Sequence, residues 1–186
     1  MLKPGELSAR RDEFLLHVGR PVALVLQSLA IARGAKRLVE LGTSYGYSTL
    51  FLAQAARQTG GTLMTFEIDE SKQRFARHEI EEAGLGGSVE WHLGDATALL
   101  RTIEGSVDFA LIDLWKDLYV PCFEILYPKL SEHAVVAADN MLEPRYVRAD
   151  AEAYRALVRS KSDIQSVLLP IGNGIELSCL WRSAPR

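Results

Sequence analysis

Residues 37–58 read RLVELGTSYGYSTLFLAQAARQ, and this stretch decides the fold. The run 37–41 is short and apolar, as a buried strand is, while 48–58 carries apolar residues at helical spacing. Between them Gly42-Thr43-Ser44-Tyr45-Gly46 turns the chain, with glycine at both ends where a backbone must bend sharply or let a ligand come close. The same alternation continues downstream. Strands are predicted over 62–66, 88–93, 107–112 and 134–138, and helices over 70–83, 96–103, 116–130 and 145–159. The run 107–112, Val-Asp-Phe-Ala-Leu-Ile, is nearly continuous in apolar residues, as a strand covered on both faces should be. Alternating strands and helices predict an α/β fold with a doubly wound, mostly parallel sheet. Upstream, apolar positions at helical spacing predict a helix over 11–33, the core of an N-terminal helical segment spanning 1–33. Downstream, the runs 164–169 and 175–180 flank Gly172-Asn173-Gly174. They predict a C-terminal antiparallel hairpin that completes seven strands.

Composition sets the class. The chain has 186 residues, 48% hydrophobic and 24% charged, enough for one domain with a substantial core over 1–186. A net charge of -3 leaves no electrostatic footprint for nucleic acid or an anionic membrane. Cys122 and Cys179 stand apart and form no Cys-x-x-Cys pair, so they read as buried thiols in a reducing compartment. The first residues carry no apolar core of a signal peptide, and the most apolar run, 21–32, is too short to span a bilayer. A cytoplasmic location is the expectation.

In an open α/β sheet, ligands bind beyond the carboxyl ends of the strands. There the sequence places Glu40, Glu67, Asp95, Asp113 and Asp139-Asn140, one acid per parallel strand. A single acid at a strand end reads as a helix cap or turn residue. Five at one edge read as a site. The loop 42–46 lacks full Gly-x-Gly-x-x-Gly spacing, which argues against a dinucleotide and for a nucleoside ligand without phosphate there. Glu67 is placed to accept ribose hydroxyls, and Asp95 to approach an adenine amino group. The loop also matches Gly-x-Ser-x-Gly, with Ser44 as nucleophile. That reading needs a later acid and then a histidine. His133 is assigned to the opposite edge, and His17, His78 and His92 come too early, so a hydrolase is rejected.

Taken together, the motifs resemble the catechol O-methyltransferase branch of the class I S-adenosylmethionine-dependent methyltransferases. Val39-Glu40-Leu41-Gly42-Thr43-Ser44-Tyr45-Gly46-Tyr47-Ser48 is similar to the family's first motif, and Phe66-Glu67-Ile68-Asp69 to its ribose-binding acid. Ile112-Asp113-Leu114-Trp115-Lys116-Asp117-Leu118-Tyr119 resembles its Asp-x-Trp-Lys-Asp-x-Tyr stretch, and Asp139-Asn140 its metal-binding pair. The likeness runs from about residue 37 to 142 and implies a Rossmann-like methyltransferase fold. It implies that Glu40, Gly42, Ser44, Gly46, Tyr47, Ser48, Glu67, Asp95, Ala96, Asp113 and Trp115 line the S-adenosylmethionine site, with Trp115 flanking the adenine. By the same resemblance Asp113, Asp139 and Asn140 bind one Mg²⁺ or another divalent cation, and Lys116 is the general base. One position departs. The family's late acid, which helps hold a second substrate hydroxyl, falls near Val167, where no acid lies close and Gln165 is the polar candidate.

The expected reaction is methyl transfer to a hydroxyl oxygen of a small, aromatic acceptor, with no nucleic-acid or membrane partner and homo-oligomerisation left open. Two alternatives stand beside it. A metal-independent methyltransferase keeps Glu40, Gly42, Gly46 and Glu67 without needing Asp139-Asn140. A non-catalytic nucleotide-binding protein uses the same fold as a partner surface.

Overall fold

A computed structural model describes residues 18–143 and 148–181. In chain order the elements are α1 (Arg20–Arg33), β1 (Arg37–Leu41), α2 (Tyr47–Thr59), β2 (Thr62–Glu67), α3 (Glu70–Glu82), β3 (Val89–Leu93) and α4 (Ala96–Thr102). They continue with β4 (Val107–Ile112), α5 (Tyr119–Leu126), β5 (Leu130–Ala138), α6 (Arg148–Arg159), β6 (Ile164–Leu169) and β7 (Ile175–Leu180). The early part of the helix predicted over 11–33, and the start of the one predicted over 145–159, lie outside the described residues.

The seven strands are ordered β3-β2-β1-β4-β5-β7-β6. β1 to β5 run parallel, and β7 joins β5 antiparallel and pairs with β6 as the predicted hairpin. Two apolar layers cover the sheet. One contains Val22 and Leu26 of α1, Leu52 of α2 and Ile80 of α3. The other contains Leu100 of α4, Tyr119 and Phe123 of α5, and Tyr154 of α6. Both layers are apolar, and the strands between them offer apolar side chains to each face. No described helix is long and apolar enough to cross a membrane.

Two elements differ from expectation. The helix predicted over 116–130 is a 3₁₀ turn at Lys116–Leu118, then α5, then another 3₁₀ turn at Tyr127–Lys129. Pro121 sits in the first turn of α5, where its missing N–H has no intrahelical acceptor to lose, and Pro128 ends the helix. The strand predicted over 134–138 begins at Leu130, which pairs with Val107 before the register shifts ahead of Phe109. His133 lies inside that strand with φ 60°, the irregularity that hid the polar residues 131–133 from a strand reading.

The strand order changes direction between β1 and β4, the crevice where open α/β sheets bind ligands. Backbone hydrogen bonds run one residue past each strand there. Gly42 N donates to Phe66 O (3.0 Å), Gly94 N to Glu67 O (2.8 Å), Asp113 N to Leu41 O (2.9 Å) and Asp139 N to Ile112 O (3.1 Å). The five strands therefore release their acids from one shared edge.

Candidate active site

The loop after β1 is built against the loop after β4. Gly42 has φ 100°, and a Cβ there would lie 2.1 Å from the backbone oxygen of Asp113. Only glycine permits that approach. Gly46, with φ 85°, serves a different contact: its missing Cβ makes room for Ala76 of α3, so α2 can start tight against that helix.

Glu40 is wholly buried beneath this loop. Its Oε2 accepts from Thr49 Oγ1 (2.6 Å) and Thr65 Oγ1 (2.7 Å), and the Thr43 hydroxyl lies 2.6 Å from that of Thr65. Burial pushes the Glu40 carboxyl up to about 7, against hydrogen bonds from Ser48, Thr49 and Thr65 that favour its charged form. Glu40 thus braces the loop, and buried Ser48 belongs to that brace. Thr49 and Thr65 were not read from the sequence. Their signal is a pair of small hydroxyls among apolar neighbours.

Glu67 is held by three backbone amides. Its Oε2 accepts from Ser44 N (2.8 Å), and its Oε1 from Ile68 N and Asp69 N (2.9 Å each). The acid expected to meet a ribose is therefore already fixed to the glycine loop. Asp95 caps α4, accepting from Ala98 N (2.8 Å) and from the Thr97 hydroxyl, whose bond holds its carboxyl below the usual range. Ala96 follows it, buried in the first turn of α4. Tyr47, at the start of α2, is on the rim and packs against Phe51, ring centroids 5.6 Å apart. Trp115 is half-buried, between Asp113 and the 3₁₀ turn. Ser44 has φ 48°, a turn shape that would also suit a nucleophile. The described histidines serve elsewhere: His92 stacks on Phe66 at 4.6 Å, His78 is exposed on α3 and His133 is exposed in β5.

Beyond β4 and β5 the chemistry concentrates. Asp139 is 2% exposed and Lys116 7%. Burial raises the Asp113 carboxyl, opposed by the Lys116 charge. Burial and then the charge of Asp113 raise Asp139. Burial lowers the Lys116 amine to about 8, although both acids pull it back up. Asp139 Oδ1 is buried with no hydrogen-bond partner. Asn140 follows with φ 54°, a left-handed turn that asparagine tolerates. Among the described residues no three of His, Cys, Asp and Glu gather around a metal position. The residues released at this edge are two acids, Asp113 and Asp139, and the amide residue Asn140. Two repelling acids, one with an orphaned oxygen, fit a hard divalent cation that keeps several waters.

The far side of the site is tied down by groups the sequence reading did not single out. Glu176 of β7 pairs with Ala138, one residue before Asp139. It is fully buried, and its carboxylate takes Arg159 Nε (2.8 Å), Arg159 Nη2 (3.1 Å) and Ser166 Oγ (2.6 Å), with Arg155 Nε at 3.4 Å. The signal was an acid inside an apolar strand and two arginines four apart on α6. Glu176→Ala should cost about 2 kcal/mol, modest for a buried pair because both guanidiniums keep contact with water. A fall in the urea midpoint at unchanged m-value measures it. The position expected for a late acid, Val167, is 51% exposed on edge strand β6, and Gln165 is exposed on the same strand.

A hollow of about 700 Å³ also opens where β4 and β5 begin, lined by Arg101, Glu104, Ser106 and Lys129 among others. It lies at the opposite edge of the sheet from the five acids. The chemistry, rather than the size of the hollow, marks the site.

Comparison with known proteins places the chain in a family. A family model described as a methyltransferase domain matches residues 39–141. Caffeoyl-CoA O-methyltransferase 2 of Zea mays is 25% identical over 193 residues, covering 92% of this chain and 73% of that protein. Catechol O-methyltransferase of Niastella koreensis is 33% identical over 121 residues, covering 63% of this chain and 54% of that protein. The crystal structure of the O-methyltransferase TomG from Streptomyces achromogenes, in complex with SAM, superimposes with a TM-score of 0.84 at 26% identity, covering 95% of this chain and 87% of that one.

Proposed function

The chain belongs to the class I O-methyltransferases, the family match covering residues 39–141, and on that premise we propose that it methylates a hydroxyl oxygen of a small aromatic acceptor at the edge formed by Asp113, Lys116, Asp139 and Asn140. The observation that carries this reading is the buried amine of Lys116 gathered with Asp113 and Asp139 beyond β4 and β5, where burial lowers it from its ordinary value. A base poised near the working pH is what deprotonating a phenol requires.

The donor, S-adenosylmethionine, supplies a methyl already activated by the sulfonium charge. The glycine loop and Glu67 hold its nucleoside, and Trp115 flanks the adenine. Asp113, Asp139 and Asn140 would hold a divalent cation, which would supply positive charge to stabilise the acceptor as its oxyanion. Lys116 Nζ takes the acceptor's hydroxyl proton. The acceptor oxygen forms the O–CH₃ bond as the S–CH₃ bond breaks, leaving a neutral thioether. With both reactants so placed, orientation alone can account for roughly 7–11 kcal/mol of the barrier.

Calorimetric titration of S-adenosylmethionine, with Mg²⁺ and then with EDTA, should show donor binding in both conditions. Methylation of catechol and simple phenols should need the metal. No donor binding in either condition would sink the reading, and turnover that survives EDTA would favour a metal-independent methyltransferase.

A further inference from the structure

Lys116 does not stand loose in its pocket. Its ammonium donates a hydrogen bond to the hydroxyl of Tyr119, one helical turn on. The Tyr119 hydroxyl in turn donates to the backbone oxygen of Asp139 at 3.1 Å. The same Nζ sits 3.8 Å from the centroid of the Tyr119 ring. A flexible lysine stem thus meets one phenol through both its ring face and its oxygen.

That phenol is itself immobile. Tyr119 is fully buried as the first residue of α5. Its ring meets Tyr154 edge to face at 5.6 Å, and Tyr154 meets Phe123 likewise at 5.7 Å. Burial, with the charges of Asp113 and Asp139, holds the phenol well above its ordinary pKa, so it keeps its proton. A protonated phenol with its hydrogen committed to the Asp139 carbonyl can offer the amine only a lone pair. The direction of both hydrogen bonds is thereby fixed.

We infer that Tyr119 is a positioning residue for methyl transfer: its hydroxyl clamps the Lys116 amine to the backbone of Asp139 and so aims the base at the acceptor. This inference rests on the reading of Lys116 as the base. It predicts that Tyr119 matters only through Lys116.

The test is a double-mutant cycle with Tyr119→Phe and Lys116→Ala, using catechol as acceptor. Phenylalanine keeps the ring packing and removes only the oxygen. Tyr119→Phe should lower kcat by about 10- to 100-fold, the scale of a misplaced catalytic group. KM for catechol and the calorimetric affinity for S-adenosylmethionine should stay within about twofold. In the Lys116→Ala background the same change should do nothing further. A second readout needs no acceptor. In ¹⁵N-lysine-labelled protein, the Lys116 Hζ protons should exchange with water about tenfold faster in Tyr119→Phe, the loss of one ordinary hydrogen bond. Equal losses in both backgrounds, or unchanged kcat and proton exchange in Tyr119→Phe, would overturn the inference. Full activity of Lys116→Ala would instead remove the base, and Tyr119's role with it.

Discussion

Gly42→Ala is expected to abolish S-adenosylmethionine binding and to destabilise the fold by about 2–6 kcal/mol. The added Cβ would stand 2.1 Å from the Asp113 oxygen and 3.0 Å from its carbonyl carbon, and both are backbone atoms at the end of a central strand. Neither can rotate away as a side chain would. The φ of 100° adds strain that any side chain would feel, about 1–3 kcal/mol of the total. The loop after β1 must therefore lift from β4, taking Ser44 and its bond to Glu67 along. Gly34 supplies the control. Its φ is also positive, 66°, but a Cβ there meets nothing within 4 Å. Gly34→Ala should cost only about 1 kcal/mol, the conformational part alone. Thermal unfolding and calorimetric titration of both variants decide the matter. A Gly42→Ala protein with wild-type stability and donor affinity would disprove the close apposition of the two loops.

Lys116→Ala is expected to lower kcat by about 10²–10⁴-fold, the usual contribution of a positioned general base. Donor affinity should stay within about twofold, because the amine is directed to the acceptor side through Tyr119 and Asp139. The pH dependence follows from the state that can accept a proton. Burial disfavours the charged amine and brings its pKa from 10.5 to about 8. Below that value most molecules hold an ammonium and cannot act as base. Turnover of the native enzyme should therefore rise with pH through about 8 and then level. The alanine variant should lose that limb and respond to pH only through ionisation of the acceptor. A profile flat between 6 and 9 in the native enzyme would speak against Lys116 as the base (one pKa unit spans a tenfold change in protonation ratio).

The parallel sheet was legible because each strand is a short apolar run bounded by glycine or an acid, and each crossover helix carries its own apolar stripe. The edge on which Glu40, Glu67, Asp95, Asp113 and Asp139 gather was equally legible, since strand polarity alone puts them there. What they do was less so. Asp95 takes the helix-cap role that any single acid at a strand end suggests, whereas Glu67 as an acceptor of three amides depends on local turns that a residue list does not encode. Gly46 looked like ligand clearance and makes room for Ala76, a contact set by how α2 and α3 cross. The length of β5 was hidden by Ser131-Glu132-His133, whose polarity masks a bulged strand. Glu176 and its arginines escaped because the pairing joins α6 to β7 with the whole of β6 between them in sequence. Tyr119 stood within a recognised stretch, yet its link to Lys116 needs the turn at Lys116–Leu118 to bring residue 119 under residue 116.

The hairpin turn at Gly172-Asn173-Gly174 reaches back to the segment that follows Asn140. Met141 N donates to Gly174 O (2.9 Å), while Leu142 N (2.8 Å) and Glu143 N (3.3 Å) donate to Asn173 O. Gly174 has φ 92°, and a Cβ there would lie 2.6 Å from Leu142 Cγ. Two stretches 30 to 33 residues apart are thus one inheritable unit. A chimera that takes residues 141–143 from a related enzyme would carry a mismatched seam unless the turn travels with them, and should keep its full thermal stability only when the two are exchanged as a pair.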